Sequence, residues 1–368
     1  MRVVSSILKR VVYPGLARVG YFRAVTRPGL AVITYHGVLP AGYKLIDPGF
    51  DGSLITAETL RQQLRLLKTK YTVIAPEEMR SWCRNEGALP PRAAVLTCDD
   101  GFLSNLTEML PILQDEGLQC LFFVTGASIN DQPTMLWYEE LLLLFLRAPA
   151  GEFHITGAGI EADGVLGERE QRRALWWSLV RRLSQIDAER RKCFLDAAHA
   201  HFGMENSLDY FLASYREARR HFGLMTRTEL QQLAAAGMTI GAHTLTHPIL
   251  AEQPSELAWT EITESRARLE QVIGKPIWAF AYPFGYEGSV SARVIAMAKQ
   301  AGFDAAFVNT GGGLGAELPL YAIPRVHINA GISLAEFEAQ VSGLHELLRR
   351  RRRKPPPTDV SVLDTLHT

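Results

Sequence analysis

The stretch AAVLTCDDGF, residues 93–102, joins an apolar run to two adjacent carboxylates and a glycine. Residues 93–98 are apolar except for one threonine, which is typical of a strand buried on both faces. Further along, MTIGAHTLTHP (residues 238–248) follows the same plan, with two histidines at the end of its apolar run. Carboxylates and imidazoles together supply metal ligands and a spare base. This combination predicts hydrolysis of an amide or ester bond.

Short apolar runs and amphipathic segments alternate along most of the chain, which predicts βα units, a parallel sheet and helices covering it. The predicted strands are residues 31–35, 72–74, 93–98, 121–124, 238–242, 278–282, 305–308 and 321–323. Polar residues follow several strands directly, and barrel enzymes place their chemistry at such strand ends. A doubly wound open sheet is the alternative, but no phosphate-cradling glycine pattern follows the first strand.

Four regions are predicted from these patterns. They are a basic arm (1–29), a barrel (30–346), a helical insertion within it (134–225) and a basic, proline-rich tail (347–368). The insertion is rich in Leu, Trp, Arg and Ala. We expect it either to add packing or to form a lid or substrate platform at the rim.

Composition excludes several classes of protein. The net charge of the 368 residues is zero, so the molecule as a whole is not built to bind nucleic acid. The four cysteines show no paired spacing, which favours a reducing compartment without disulfides. The longest apolar run, Leu141 to Leu146, is too short to span a bilayer. These features favour a cytoplasmic protein, with export to the periplasm as the alternative.

The arm carries six cations and no acid within residues 1–27. Its apolar residues alternate with these cations, so it is either a solvated extension or an interfacial segment that makes peripheral contact with a membrane. The pattern does not separate the two. The basic run 349–354 favours a disordered polar tail.

Three stretches resemble the motifs of NodB-type polysaccharide deacetylases (carbohydrate esterase family 4). Residues 97–101 resemble the first motif, residues 243–247 match the second (His-Ser/Thr-x-x-His), and residues 282–285 resemble the third. The resemblance implies an α/β fold, a distorted (β/α) barrel of the NodB polysaccharide deacetylase type, here with the helical insertion.

The resemblance also implies roles for the strand-end residues. Asp100, His243 and His247 would bind a divalent metal, typically Zn²⁺, and Asp99 would be the general base. Two imidazoles and one carboxylate leave an open metal position, where a water is acidified and a carbonyl polarised. Neighbouring side chains on an extended strand point apart. We therefore expect the strand to end at the carboxylate pair, with Gly101 permitting a turn.

The second motif raises a similar question of geometry. His243 and His247 would share one face of a helix, but Pro248 disfavours helical backbone at the residue before it. A loop that donates both imidazoles is therefore expected.

The chain departs from the family at two places. Many members carry an arginine that orients the base aspartate where this chain has Ala281, and Arg325 is the candidate replacement. The family's last motif, Leu-x-His, supplies a general acid, and residues 325–327 match it only at His327. Further candidates for substrate binding, oxyanion stabilisation or orientation are His36, Tyr282, Pro283 and Phe284.

The resulting hypothesis is a metal-dependent deacetylase that removes N-acetyl or O-acetyl groups from a carbohydrate. A cytoplasmic address and the basic arm favour a soluble glycan or lipid-linked sugar as its partner. Removal of formyl or another acyl group from an aminosugar is the nearest alternative. A non-catalytic glycan-binding relative is another. Nucleic-acid binding through the basic ends is a third, which would show as affinity that collapses with salt.

Overall fold

The computed structural model describes residues 11–22, 29–43, 52–132, 134–204, 219–220, 222–310 and 318–344. The predicted basic tail (347–368) lies outside the described residues, as do residues 1–10 and 23–28 of the predicted arm.

Thirteen short strands are present in the described residues, and most lie near the predicted positions. They are β1 (Leu30–Tyr35), β2 (Gly37–Leu39), β3 (Leu54–Thr56), β4 (Thr72–Val73), β5 (Ala93–Cys98), β6 (Leu121–Val124), β7 (Gly151–Gly157), β8 (Ile160–Leu166), β9 (Thr239–Ala242), β10 (Ala279–Ala281), β11 (Ala305–Val308), β12 (Ile323–Pro324) and β13 (Val326–His327).

Helices separate most of the barrel strands outside the insertion, except among β1–β3 and β11–β13. They are α1 (Tyr13–Arg18), α2 (Ala57–Lys70), α3 (Pro76–Cys83), α4 (Leu110–Glu116), α5 (Trp137–Arg147), α6 (Arg169–Leu183), α7 (Ala188–His201), α8 (Arg227–Ala235), α9 (Ser255–Ile273), α10 (Ala292–Gln300) and α11 (Leu334–Val341). Capping follows the sequence: Thr226 accepts from the Glu229 amide at the start of α8, and Ser333 accepts from the Glu336 amide at the start of α11.

One parallel sheet forms the body of the molecule, in the order β12-β11-β10-β9-β6-β5-β1-β13, with β4 also paired to β5. Only Arg325 separates β12 from β13. Ile323 pairs beside Phe307 on β11, whereas Val326 pairs beside Ile33 on β1. Residues 323–327 therefore join the two edges of the sheet and close it into a nearly complete barrel. The predicted (β/α) barrel is confirmed, and the open sheet is excluded.

Two apolar layers hold the barrel. Ala94, Leu96 and Cys98 of β5 face outward and pack against helices such as α2. Ala93 and Val95 face the interior, where they meet side chains such as Phe123 and Phe307. Because successive side chains of a strand alternate, the inward row of β5 continues through Thr97 to Asp99. The strand thus delivers one carboxylate into the barrel.

The insertion is not wholly helical, and this part of the prediction was wrong. Residues 151–166 form an antiparallel hairpin, β7–β8, between α5 and α6. Its buried residues alternate with exposed ones, a period of two that the composition of the region conceals. The hairpin packs with α5, α6 and α7 around its own core, which includes Phe153, Ile155 and Phe194.

The end of the insertion returns to the carboxylate turn. The Leu103 amide donates to the Gly223 carbonyl at 2.8 Å, and the Met225 amide donates to the Gly101 carbonyl at 2.9 Å. The insertion is thereby anchored beside the first motif. Across the described segments, no helix is both long and apolar enough to cross a membrane.

Candidate active site

The backbone turns sharply directly after β5. Asp100 has φ +76° and Gly101 has φ +86°, so the left-handed turn begins one residue before the glycine that was expected to permit it. A Cβ on Gly101 would lie 2.9 Å from the Ser128 Oγ, so only glycine fits there. The turn lets Asp99 point into the barrel while Asp100 faces the histidine loop. As predicted, the strand ends before the pair.

The two histidines of the second motif come from a loop, as expected. Thr244 (φ +63°) and His247 (φ +57°) both adopt left-handed backbone, so the proline after His247 does keep it out of a right-handed helix. The His247 amide donates to the Thr244 Oγ1 at 3.0 Å. The Gly126 amide, after β6, donates to the Thr244 carbonyl at 2.8 Å. This loop is therefore fixed by its own side chains and by the neighbouring strand.

A buried carboxylate on α9, Glu261, holds the same loop from behind. One of its oxygens accepts from the amides of Leu245 and Thr246, each at 2.8 Å, and the other accepts from the Thr246 hydroxyl. Burial raises the pKa of Glu261, although these donors oppose the shift. Sequence reasoning missed this residue because a glutamate within an amphipathic helix has the pattern of a solvent-exposed side chain.

Asp100, His243 and His247 converge as a potential metal centre. Their ligand atoms all lie within 4.8 Å of one another, and all three residues are buried. The Asp100 Oδ1 is 3.5 Å from the His243 Nε2 and 3.2 Å from the His247 Nε2. It makes no hydrogen bond of good geometry to any described residue. A buried carboxylate oxygen between two imidazoles fits a divalent cation, and these donors suit zinc.

The tautomer of His243 is set by the backbone of β10. Its Nδ1 lies 2.7 Å from the Ala281 carbonyl, to which it donates, and this leaves the Nε2 lone pair facing Asp100. Burial acts to raise the pKa of Asp100, but hydrogen bonds from the two imidazoles outweigh it and hold that pKa well below its usual range when their Nε2 atoms carry a proton in place of a metal ion. Asp100 is therefore ionised, as a metal ligand must be.

Asp99 is bound by Arg325 inside the barrel. The Nη1 and Nη2 of Arg325 donate to the two carboxylate oxygens at 2.7 and 2.6 Å, and both side chains are almost completely inaccessible. The guanidinium also lies 5.3 Å from the centre of the Phe123 ring. Burial opposes ionisation of Asp99, yet Arg325 and His243 lower its pKa. Ala281 also faces the interior, so an arginine there would point into the space that Arg325 occupies.

His36 and His327 lie together beside this pair. Their ring centres are 4.7 Å apart, and the His36 carbonyl accepts from the Asn105 Nδ2 at 3.1 Å. Burial and the neighbouring His36 lower the pKa of His327 to about 3, against a smaller opposing effect of Asp99. The imidazole of His327 is therefore neutral at neutral pH.

The third motif contributes unequally to the site. Phe284 has φ +61°, and its ring centre is 4.9 Å from that of His247. The Pro283 carbonyl accepts from the Gly285 amide at 2.6 Å. Tyr282 instead faces outward into the helix-covered core, and its hydroxyl donates to the Tyr321 carbonyl at 2.9 Å. The structure brings Phe284 to the site, but not the side chain of Tyr282.

Two aromatic residues of the insertion extend the site. The Tyr138 ring, on α5, is 5.0 Å from the His247 ring, and the Trp177 ring, on α6, is 5.5 Å from the Phe284 ring. Tyr286 follows at 6.2 Å from Trp177 and is 38% exposed. We call Tyr138, Trp177, Phe284 and Tyr286 the aromatic wall. It leads from the histidine loop to the surface, and its two insertion residues were not predicted.

Arg191, on α7, ties the insertion to the histidine loop. Its Nη2 donates to the Thr246 Oγ1 at 3.2 Å, and its guanidinium lies 4.7 Å from the Trp137 ring centre. The residue is 2% exposed, and burial lowers its pKa to about 10 while Glu261 opposes the shift. The insertion thus supports the loop that carries the imidazoles, in addition to lining the rim.

Comparisons with known proteins point to one family. Residues 207–306 match the family model described as polysaccharide deacetylase, a range that includes the second and third motifs but not residues 97–101. Among curated proteins, no sequence matches the chain. Together with similar solved structures, the match confirms the predicted resemblance to NodB-type polysaccharide deacetylases.

Two of these solved structures share the fold over most of the chain. A deacetylase from Streptococcus pyogenes, PplD in complex with acetate, is 15% identical with a TM-score of 0.53, covering 86% of this chain and 99% of its own. IcaB from Ammonifex degensii is 16% identical with a TM-score of 0.52, covering 86% of this chain and 98% of its own. At these identities the likeness establishes the barrel fold.

Proposed function

We propose that this protein is a metal-dependent deacetylase that hydrolyses N-acetyl groups of a carbohydrate, with O-acetyl groups as further substrates. One observation carries the proposal. The unpartnered Oδ1 of Asp100 lies between two imidazoles, and a second carboxylate, Asp99, is fixed beside it by Arg325. Metal ligands next to a separate, oriented base are what hydrolysis of an unactivated amide requires.

Each carboxylate has its own task in this proposal. Asp100, His243 and His247 would hold the cation, which when bound supplies a Lewis acid for the acetyl carbonyl and for water. Asp99 takes the proton from the attacking water. Both of its oxygens accept from Arg325, but each retains a lone pair for that proton.

His327 is proposed to protonate the departing amine. It lies beside His36 at the Asp99 end of the site, and its lowered pKa makes it neutral before the reaction. It must therefore take up a proton during turnover, the equivalent of the one that Asp99 removes from water, and pass it to the amine. The backbone amide at Phe284 is the proposed donor to the developing oxyanion.

The aromatic wall is proposed to bind the sugar. Flat rings present an apolar face that suits the carbon face of a pyranose. These four rings form a chain of contacts from Tyr138 through Phe284 and Trp177 to Tyr286, and the first two also contact His247. The metal centre would then act on the acetyl group of the sugar ring packed against the wall. Acetylated glycans and lipid-linked sugars are the substrates proposed.

A comparison of the wild type with Asp99→Asn and Asp100→Asn tests the proposal. We expect the wild type to bind one metal ion and to release acetate from an N-acetylated aminosugar faster than formate from the N-formylated counterpart. Asp99→Asn should keep the metal but lose at least about 10²-fold in kcat, because only the base is removed. Asp100→Asn should lose the metal.

Thermal melting provides a readout that does not depend on activity. Added zinc should raise the Tm of the wild type and of Asp99→Asn, since a ligand that binds only the folded state stabilises it. It should not raise the Tm of Asp100→Asn. Full activity in Asp99→Asn, or equal metal binding by all three proteins, contradicts the proposal.

A further inference from the structure

Helix α1 presents two different faces. Its inner face packs on α11, in a cluster formed by Tyr13, Phe22, Ala339 and Leu344, with Leu16 and Ala17 against it. On the opposite side, Val11 and Val19 flank the helix just beyond its two ends and are 66% and 77% exposed. Residues 11, 12, 15, 18 and 19 fall on this side at 100° per residue. We call Val11, Val12, Arg18 and Val19, together with Tyr21, which is 41% exposed beyond the turn that ends the helix, the α1 surface.

Exposed apolar side chains are concentrated there. Of the seven large apolar side chains exposed in the described residues, four belong to this surface: Val11, Val12, Val19 and Tyr21. A fifth, Leu334, begins α11, the helix on which α1 packs. Single exposed apolar residues need no explanation, but a group of them at the two ends of a short surface helix indicates a contact.

The charge of this region indicates the kind of contact. Residues 1–27 contain six cations (Arg2, Lys9, Arg10, Arg18, Arg23 and Arg27), and the first acidic residue of the chain is Asp47. Arg18 is exposed on α1 itself. Exposed apolar side chains on a segment whose sequence contains cations and no acid are complementary to the interface of an anionic bilayer.

We propose that the α1 surface docks the protein reversibly on an anionic membrane surface. Val11, Val12, Val19 and Tyr21 enter the interfacial region while Arg18 contacts lipid phosphates. The inner face of α1 stays packed on α11, so the barrel would stay attached to the docked helix. This contact is separate from the acetyl-hydrolysing site and does not depend on its chemistry.

Sedimentation of the full chain with lipid vesicles tests the proposal. We expect binding to vesicles that contain phosphatidylglycerol, weak binding to phosphatidylcholine alone, and release by salt. Val19→Asp should lower the partition coefficient about tenfold, because it removes an inserted side chain and adds a repelled charge. Arg18→Gln should lower it about fivefold.

Val165→Asp is the matched control. This valine is 55% exposed on β8 of the insertion, so it adds the same charge on an exposed strand without touching the α1 surface. It should bind vesicles like the wild type, and circular dichroism should show all variants folded. Equal binding by Val19→Asp and Val165→Asp overturns the proposal. A second contradicting result is wild-type protein that sediments without lipid and stops doing so in Val19→Asp. In that case a second copy of the chain would cover this surface.

Discussion

Arg325 binds both carboxylate oxygens of Asp99 through hydrogen bonds of 2.7 and 2.6 Å, with both side chains buried inside the barrel. The arginine comes from the segment that closes the barrel, between β12 and β13. Ala281 leaves the corresponding interior position on β10 without a charge. The closing segment thus both completes the sheet and orients the proposed base. An uncompensated buried carboxylate would be strongly destabilising.

The first prediction concerns the shape of this contact. Arg325→Lys keeps the positive charge but loses the planar fork that binds both oxygens. We expect kcat to fall roughly 10²-fold through loss of orientation, with KM little changed. In an Asp99→Asn background the same substitution should have almost no further effect on kcat. Steady-state kinetics of the four proteins measures this coupling.

Arg80→Lys is the control for this substitution. Arg80 pairs with Asp304 at 2.9 Å, but both side chains are about one-quarter exposed, so its replacement should leave kcat and Tm nearly unchanged. Moving the arginine in Arg325→Ala/Ala281→Arg should recover at least about tenfold of the kcat lost in Arg325→Ala. Equal loss of activity in Arg80→Lys and Arg325→Lys would show that the fork is unimportant.

The barrel could be predicted because its determinants are local in sequence. Apolar runs such as residues 93–98, strand-end carboxylates and imidazoles, and capping residues each leave a pattern that survives without tertiary information. The contact of Arg325 with Asp99 could be anticipated as well, because both residues follow barrel strands. The prediction of β12 and β13 was poorer: one strand was predicted at 321–323. Two strands of two residues each are too short to show an alternating pattern.

The support of the site could not be predicted in the same way. Glu261, Arg191 and Trp177 reach the histidine loop or the third motif from helices whose pattern gives only a buried face and an exposed face. Which side chain meets the loop depends on how the insertion and α9 pack against the barrel. Hairpin β7–β8 was missed for a different reason. The insertion was assigned as helical from its composition, and composition does not show the alternation of buried and exposed residues in 151–166.

The second prediction concerns the support behind the histidine loop. Glu261→Gln retains the size of the side chain but replaces one acceptor oxygen with an NH₂ group. Either the Leu245 and Thr246 amides or the Thr246 hydroxyl then lose their acceptor. We expect the dissociation constant for zinc to rise about 10- to 100-fold, as for other residues that orient ligands. Isothermal titration with zinc measures it. Glu256→Gln, on the exposed first turn of the same helix, should bind like the wild type.

The third prediction concerns the aromatic wall. Trp177→Ala removes a ring that lies between Phe284 and Tyr286, so a sugar bound at the proposed wall would lose apolar contact while the proposed metal centre keeps all its residues. We expect KM to rise roughly three- to tenfold and kcat to stay within about twofold. Trp82→Ala, a partly buried tryptophan on α3, should change neither constant. An equal loss of kcat in both variants would indicate general destabilisation and remove the case for sugar binding.

The fourth prediction concerns pH and the packing of the insertion. The His199 Nε2, on α7, lies 2.8 Å from a carboxylate oxygen of Glu140, on α5, and both side chains are largely buried. The hydrogen bond to Glu140 raises the pKa of His199. A histidine whose folded pKa is raised stabilises the fold fully below its unfolded pKa of about 6.5. This contribution to stability is lost as the pH rises through the pKa of His199 in the folded protein.

His199→Gln should therefore lower the free energy of unfolding by about 1 kcal/mol near pH 6, the upper range for a pair that keeps some solvent contact. The deficit should shrink at a pH above the raised pKa, where the wild-type imidazole is also neutral. His154→Gln is the control, because His154 pairs with Asp163 on the exposed surface of β7–β8. Urea unfolding at the two pH values measures both variants. A deficit that stays constant with pH would mean that His199 acts through packing, without a charged pair.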